Sequence, residues 1–219
     1  MKTPIKIDFV SDVSCPWCII GLSSLQQALD TVSNEIEAEL HFQPFELNPG
    51  MPPEGQDLNE HVSEKFGMPP EHLERNQQAI RERGDQVGFT FNMDKRSRIY
   101  NTFDAHRLLH WAGLEGKQLA LKRALFSAYF TEGESPASHE VLIRLAGEVG
   151  LDTAKAQEIL NSDTYAAEVR QQEGFYQGLG ISSVPSIIIN DRHLIQGGQP
   201  AEVFVQALRQ IASGEVANS

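Results

Sequence analysis

Ser14-Cys15-Pro16-Trp17-Cys18 contains both cysteines of this 219-residue chain, and it lies where a short apolar run ends and a helical pattern begins. A cysteine at a helix N-terminus faces unpaired backbone N–H groups and the positive end of the helix dipole, and both lower the pKa of its thiol. Cys18 follows one turn later, within disulfide reach of Cys15. The pattern therefore favours a redox-active pair in which Cys15 attacks and Cys18 resolves the mixed disulfide.

Two other uses of a cysteine pair fit the sequence less well. A disulfide across so short a loop constrains the unfolded chain little, and a chain of 219 residues with 40% hydrophobic residues can bury a core without one. A structural zinc site takes its ligands from paired motifs. His106 and His110 share a helix face, but no second motif is placed to complete a site with the cysteines, so we predict no metal.

The net charge of the chain indicates which kinds of partner it can bind. Eighteen Lys and Arg against 30 Asp and Glu give a net charge of −12, and no basic stripe is present, so we expect no nucleic-acid partner. No stretch of about 18 apolar residues is available to span a membrane. The N-terminus shows no secretory signal and runs directly into the motif. We therefore expect a cytoplasmic protein, in a compartment where thiols are kept reduced.

Hydrophobic periodicity around the motif predicts the first elements. Residues 5–10 form a short buried run typical of a strand, and residues 16–32 carry apolar side chains at helical spacing. Pro16 suits the first turn of that helix, where its missing N–H would be unpaired anyway. Residues 37–45 alternate as a second strand does, with Pro44 near its end.

A turn-rich segment at 47–55 marks a boundary, and helical patterns follow for more than a hundred residues. The predicted helices are 58–66, 72–86, 99–111, 117–130, 139–149 and 153–160. Residues 87–92 break the helical period and are expected to form a loop or a short strand. Trp111, Phe126, Tyr129 and Phe130 fall at helical spacing and are expected in the core.

The C-terminal part returns to mixed structure. Residues 164–179 predict a helix, two apolar runs around Asn190-Asp191 predict a β-hairpin, and residues 200–211 predict a last helix. The small polar tail, 214–219, is expected to fray.

The order of elements is β-α-β, a long helical block, then α-β-β-α. With a Cys-X-X-Cys at the start of the first helix, this order predicts an α/β thioredoxin-like fold interrupted by a large all-helical insertion. We assign residues 1–50 and 164–219 to the thioredoxin-like domain and residues 51–163 to the insertion.

Val184-Pro185 directly precedes the predicted hairpin, where this fold carries a cis-proline beside the cysteine pair. We expect a cis bond, which would present the backbone of Val184 to an extended substrate. The alternative is a trans proline that opens an edge strand.

Four separated blocks resemble the DsbA-like thioredoxin family and, within it, the FrnE-like oxidoreductases. They are Asp12-Val13-Ser14-Cys15-Pro16-Trp17-Cys18-Ile19-Ile20-Gly21, Phe45-Glu46-Leu47-Asn48-Pro49, Asn101-Thr102-Phe103-Asp104-Ala105-His106-Arg107-Leu108 and Gly197-Gly198-Gln199-Pro200. The resemblance implies thiol-disulfide exchange with protein or low-molecular-weight thiols, with Cys15 as the nucleophile and a helical domain that caps the dithiol.

One departure from the periplasmic oxidant of this family concerns the dipeptide between the cysteines. It is Pro16-Trp17 here, where the oxidant has Pro-His, so its strongly oxidising character is not carried over. Pro16 and Trp17 are expected to tune the dithiol and to contact substrate.

Other proteins with this fold leave a second enzyme class open. Kappa-class glutathione transferases and 2-hydroxychromene-2-carboxylate isomerases use a serine near the position of Cys15 to activate glutathione. By this resemblance glutathione is a candidate co-substrate, with Asn48, Val184 and the turn containing Gly198 as contacts. We expect no other cofactor.

Several alternatives remain open at the level of sequence. His106 either faces the dithiol or is a buried histidine beside Trp111, and Asp12 either relays a proton to Cys18 or caps the first helix. A chaperone-like binding protein whose cysteines are incidental is a third class of function. The apolar helix faces suit a homodimer seam or a client groove as well as a core.

Overall fold

A computed structural model describes residues 2–67 and 69–214 of the chain, without the side chains of residues 66 and 70. The strands are β1 (Thr3–Ser11), β2 (Ile36–Pro44), β3 (Gln56–Asp57), β4 (Arg98–Ile99), β5 (Ser186–Ile189) and β6 (His193–Gln196). The helices are α1 (Pro16–Thr31), α2 (Leu58–Phe66), α3 (Pro70–Gln86), α4 (Phe103–Leu114), α5 (Gln118–Phe130), α6 (His139–Glu148), α7 (Thr153–Leu160), α8 (Ala166–Gly178) and α9 (Ala201–Ser213). Residues 215–219, most of the tail expected to fray, lie outside the described residues.

The central sheet has the order β2-β1-β5-β6, in which β1 and β2 are parallel and the other pairs are antiparallel. Strand β1 is buried on both faces: Ile7 and Phe9 join the core that includes α1 and α9, and Val10 packs with Tyr176 of α8 on the other face. Asn190 and Asp191 both have positive φ in the β5–β6 turn, as short hairpin loops require. This arrangement confirms the thioredoxin-like fold with a helical insertion.

Helices α2 to α7 lie between β2 and α8 in the chain, and α4 to α7 build a second core around Leu108, Trp111 and Leu142. Val13, just before the cysteine motif, packs into this second core. Phe126, Tyr129 and Phe130 are buried as predicted, and they join the core of the sheet. The insertion is therefore fastened to the loop that carries the cysteines.

The structure corrects the predicted start of one helix. Ile99 does not begin α4; it lies in β4, where Arg98 and Ile99 pair with Gln56 and Asp57 of β3 in a two-stranded antiparallel sheet. Helix α4 begins at Phe103, four residues later than Ile99. Residues 87–92 form a loop, one of the two predicted alternatives.

Within residues 2–67 and 69–214, no helix combines the length and the hydrophobicity that crossing a bilayer requires.

Candidate active site

The two cysteines lie at the N-terminal end of α1, as the sequence predicts. Cys15 is the N-cap residue in extended conformation and Pro16 occupies the first turn. The Cys18 backbone N–H donates to Cys15 O at 3.1 Å. Both side chains are free thiols, with Cys15 4% exposed and Cys18 fully buried.

The surroundings of the two thiols differ in a way that assigns them different chemistry. A hydrogen bond from the Cys18 side chain is the main cause that lowers the pKa of Cys15, and the backbone N–H groups of Cys18 and Trp17 act in the same direction against burial. Burial is the main cause that raises the pKa of Cys18 well above its ordinary value. Cys15 is therefore the thiol that ionises first, while Cys18 keeps its proton.

The Val184-Pro185 bond is cis, as predicted, so the alternative of a trans proline is wrong. Cys15 Sγ lies 3.6 Å from Val184 O, to which its thiol donates. The backbone N–H of Gly197 donates to Pro185 O at 2.8 Å, which ties the end of the hairpin to this bond. The backbone of Val184 therefore lies directly beside the nucleophile.

Gly21 allows Pro185 to approach α1 closely. A Cβ at Gly21 would lie 3.0 Å from Pro185 Cγ, so we expect Gly21→Ala to displace Pro185 and to slow disulfide exchange several-fold. Alanine favours helices by about 1 kcal/mol over glycine, and this gain offsets the cost of the close contact. The free energy of unfolding should therefore change little. Gly174→Ala is the matched control, since a Cβ there meets nothing within 4 Å. Equal exchange rates for the two variants would contradict this assignment.

Asp12 joins three parts of the protein behind the dithiol. Its carboxylate accepts from Ser14 N at 3.2 Å, from Ser14 Oγ at 2.9 Å and from Leu47 N at 2.8 Å. His106 Nε2 of α4 lies 3.5 Å from Asp12 Oδ1, and both side chains are buried. Burial by itself would raise the pKa of Asp12, but the nearby His106 imidazole, with the Leu47 N–H, lowers it to about 2.

These contacts exclude one of the two alternatives for Asp12 and show what surrounds His106. Asp12 does not cap α1, because the N-cap residue is Cys15 and the Asp12 carboxylate accepts from Ser14, which precedes that N-cap. A proton relay from Asp12 to Cys18 stays a prediction. His106 is buried and also faces the cysteine loop through Asp12. The ring of His110 instead lies 5.0 Å from the Tyr165 ring.

Lys122 of α5 is a buried cation that the sequence analysis missed. Its side chain is 1% exposed, with Nζ 5.4 Å from the centroid of the Phe126 ring. Burial lowers the pKa of Lys122 to about 8, against the opposing charges of Cys18, Asp12 and Cys15. Lys122 in turn lowers the pKa of Cys18. The signal was its spacing, which puts Lys122 on the same helix face as Phe126 and Tyr129.

Replacing Lys122 with methionine is expected to stabilise the protein and to slow its resolving step. Because the folded pKa of about 8 is below the ordinary 10.5, burial destabilises the fold by up to about 3 kcal/mol at pH below about 8. This penalty disappears as the pH rises from about 8 to about 10.5. Urea unfolding of Lys122→Met at pH 7 should show the gain, and stopped-flow kinetics should show slower attack by Cys18. A less stable variant with unchanged kinetics would refute both expectations.

A cavity of about 310 Å³ opens beside Cys15, between the cysteine motif and helices α2 and α3. Pro16, Trp17 and Asn48 line it, so the structure brings these predicted contact residues together with the nucleophile. Gly198 does not line this cavity. It packs against the backbone of Trp17, where a Cβ on Gly198 would lie 3.1 Å from Trp17 O.

The sequence analysis missed three ionisable residues of this cavity. They are His61, Lys65 and Arg96. Their helical or loop patterns gave no sign that tertiary packing would bring them to the cysteines. Among residues 2–67 and 69–214, no group of three or more His, Cys, Asp or Glu is placed to hold a metal ion.

Comparisons with known proteins agree with this geometry. The chain is 28% identical over 205 residues to YwbO, an uncharacterized protein of Bacillus subtilis (strain 168), covering 93% of this chain and 96% of that protein. A probable DsbA oxidoreductase, SCO1869 from Streptomyces coelicolor, superposes with a TM-score of 0.90 at 32% identity, covering 96% of this chain and 91% of that one.

A more distant neighbour is the cytosolic disulfide reductase DsbM from Pseudomonas aeruginosa, solved with GSH. Its TM-score is 0.65 at 19% identity, covering 94% of this chain and 98% of that one, and this likeness shows the fold alone. The model of the DSBA-like thioredoxin domain matches residues 6–209. The chain therefore belongs to the DsbA-like thioredoxin domain family.

Proposed function

We propose that the protein is a thiol-disulfide oxidoreductase of the FrnE-like group that works through the Cys-Pro-Trp-Cys dithiol. The observation that carries the proposal is the asymmetry of the pair. Cys15 has a lowered pKa and lies against Val184 O of the cis peptide, whereas the pKa of Cys18 is raised by burial. A dithiol in which one sulfur ionises first and the other is held in reserve suits a two-step exchange.

The exchange proceeds in two substitutions at sulfur. The Cys15 thiolate attacks one sulfur of the substrate disulfide, forming a mixed disulfide and releasing one substrate thiolate. Cys18 then loses its proton and attacks Cys15 Sγ, which releases the second substrate thiolate and leaves a Cys15–Cys18 disulfide. The dithiol is oxidised by two electrons, the substrate is reduced by two, and the released thiolates take up the two protons.

Residues around the pair support each step. The backbone carbonyl and N–H of Val184 can form hydrogen bonds with an extended substrate beside the sulfur that Cys15 attacks. An exposed sheet edge binds an extended peptide in the same way. The charge of buried Lys122 favours the thiolate of Cys18. Pro16 and Trp17 stand where a histidine would stabilise the Cys15 thiolate, so we do not expect a strong oxidant. We further propose a cytoplasmic location, since a structural neighbour is described as a cytosolic disulfide reductase.

The proposal is tested by insulin reduction and by refolding of a protein with scrambled disulfides, in glutathione buffers that cover a series of reduction potentials. Wild type should act in at least one direction, and Cys15→Ala should fall to background in both. Gly174→Ala is the control that leaves the dithiol untouched. A wild type inactive in both assays, or a fully active Cys15→Ala, would overturn the proposal.

A glutathione-dependent transferase or isomerase is the second candidate, and the observation in its favour is the position of Asn48 in the cavity beside Cys15. It predicts that glutathione binds and that activity survives Cys18→Ser, whereas dithiol exchange requires Cys18. The chaperone-like alternative predicts protection of a client protein by Cys15→Ala as effectively as by wild type.

A further inference from the structure

The cavity beside Cys15 carries a charge opposite to that of the chain. The whole chain has a net charge of −12, yet Lys65 and Arg96 line this cavity and no Asp or Glu does among the described residues. Burial and the charge of Lys65 lower the pKa of His61, so that imidazole is neutral at pH 7. A local cationic site in an acidic protein attracts small anions that the rest of the surface repels.

Arg96 is the cation with unused bonding capacity. Its Nη2 lies 3.5 Å from Ser14 O, directly before the nucleophile, and its Cζ lies 5.0 Å and 4.9 Å from the ring centroids of Tyr129 and Phe130. The Nε–H is buried without a hydrogen-bond partner. No carboxylate pairs with Arg96 in the described part of the chain. Neutral groups thus hold the guanidinium in place. Its Nε–H has no acceptor, and its positive charge has no carboxylate partner among the described residues.

The cavity is small, and apart from its ionisable residues it is lined by apolar side chains and by the uncharged polar residues Ser14, Asn48, Asn76 and Gln77. Leu58, Val62, Leu73 and Ile80 line it together with Trp17. A volume of about 310 Å³ is at the lower end for small-molecule sites and holds a compact ligand. A largely apolar surface, one guanidinium and a nucleophilic sulfur at the same cavity define the ligand's chemistry: an apolar body, a carboxylate and a disulfide.

We propose that this cavity receives a low-molecular-weight disulfide that joins an apolar body to a carboxylate, with the carboxylate on Arg96 and a sulfur at Cys15 Sγ. This substrate class rests on the thiol-disulfide exchange proposed above. The low-molecular-weight disulfide is reduced by two electrons to two thiols, and the Cys15–Cys18 dithiol is oxidised to a disulfide. Arg96 acts by binding the substrate through charge-assisted hydrogen bonds, which a planar guanidinium makes to a carboxylate with two donors.

The test compares two aromatic disulfides that differ in charge. The reduced protein is mixed with dithiobis(nitrobenzoate), which carries carboxylates, or with dithiodipyridine, which does not, and the released coloured thiol is followed. Each rate is divided by the rate of the same disulfide with free mercaptoethanol, which removes the difference in intrinsic reactivity. The ratio of the two normalised rates is the carboxylate preference of the protein.

Wild type should prefer the carboxylate probe, and Arg96→Gln should lower that preference about tenfold, the loss expected for a hydrogen bond to a charged group. Arg123→Gln removes an equal charge from an exposed site whose contact is Gln26, and it should keep the preference. In wild type, nitrobenzoate should compete with the carboxylate probe more strongly than nitrobenzamide does, a comparison that needs no variant to fold.

Three results would overturn the inference. The first is a wild type with no carboxylate preference while both probes react through Cys15, which leaves the exchange chemistry standing. The second is an Arg96→Gln variant that slows both probes and insulin reduction by one factor, since Arg96 would then only hold Ser14 O. The third is equal competition by nitrobenzoate and nitrobenzamide. Failure of wild type to react with any disulfide would instead contradict the proposed function itself.

Discussion

Replacing Cys18 with serine is expected to arrest the protein as a mixed disulfide between Cys15 and its substrate. Serine cannot attack Cys15 Sγ to release the substrate, so the second substitution is lost. Its hydroxyl can still donate to the Cys15 sulfur, the interaction that contributes most to the lowered pKa of Cys15, so the first substitution continues. Mass spectrometry under non-reducing conditions should show the protein carrying one substrate thiol.

The reciprocal variant is the control for this result. Cys15→Ser removes the attacking sulfur and should form no adduct, because Cys18 is fully buried and keeps its proton. Turnover should fall to background in both single variants, but only Cys18→Ser should accumulate the adduct. An adduct on Cys18 in the Cys15→Ser protein, at the rate seen for Cys15, would contradict the assigned roles.

Replacing Asp12 with asparagine is expected to destabilise the protein by about 2 to 4 kcal/mol at pH 7. The substitution removes the buried carboxylate charge that accepts hydrogen bonds from Ser14 and Leu47 and lies beside His106. The folded pKa of about 2 lies below the ordinary 3.8, so ionised Asp12 contributes about 2 kcal/mol at pH well above 3.8. That contribution is lost as the pH falls through about 2. The difference in stability between wild type and Asp12→Asn should therefore shrink towards acid pH.

Urea unfolding between neutral and acid pH measures this difference, with Asp94→Asn as an exposed carboxylate control. A second readout separates the charge of Asp12 from its hydrogen bonds. The Asp12 charge raises the pKa of Cys15, so Asp12→Asn should lower that pKa further. A variant as stable as wild type at pH 7, or a Cys15 pKa that rises, would show that Asp12 is not the link between α4 and the cysteine loop.

Much of the fold could be predicted because its signals are local in the chain. The apolar pattern of β1, Pro16 in the first turn of α1 and the Asn190-Asp191 turn each specify their own element. The cis Val184-Pro185 bond was predictable from the order of elements, because that order indicates a fold that carries a cis-proline at this position. The cysteine pair was predictable for the same reason, since its chemistry depends on its position at a helix start.

The residues that the sequence did not reveal depend on contacts between distant segments. Strands β3 and β4 have two residues each and are separated by some 40 residues, so neither shows a period. Lys122 lies in an apolar pattern whose burial only the packed structure shows. Arg96 is in a loop, and its contact with Ser14 O depends on how the insertion packs against the cysteine loop. The missed residues are thus those that the insertion contributes to the site.

Alkylation of the reduced protein by iodoacetamide as a function of pH tests most directly the claim that the dithiol is asymmetric, with Cys15 ionising first. Peptide mapping after each reaction reports which cysteine is modified and at what rate. We predict that Cys15, which lines the cavity, is modified alone at pH 7, with an inflection below the ordinary thiol value of 9.0. Modification of Cys18 first, or a Cys15 inflection at or above that value, would contradict the account.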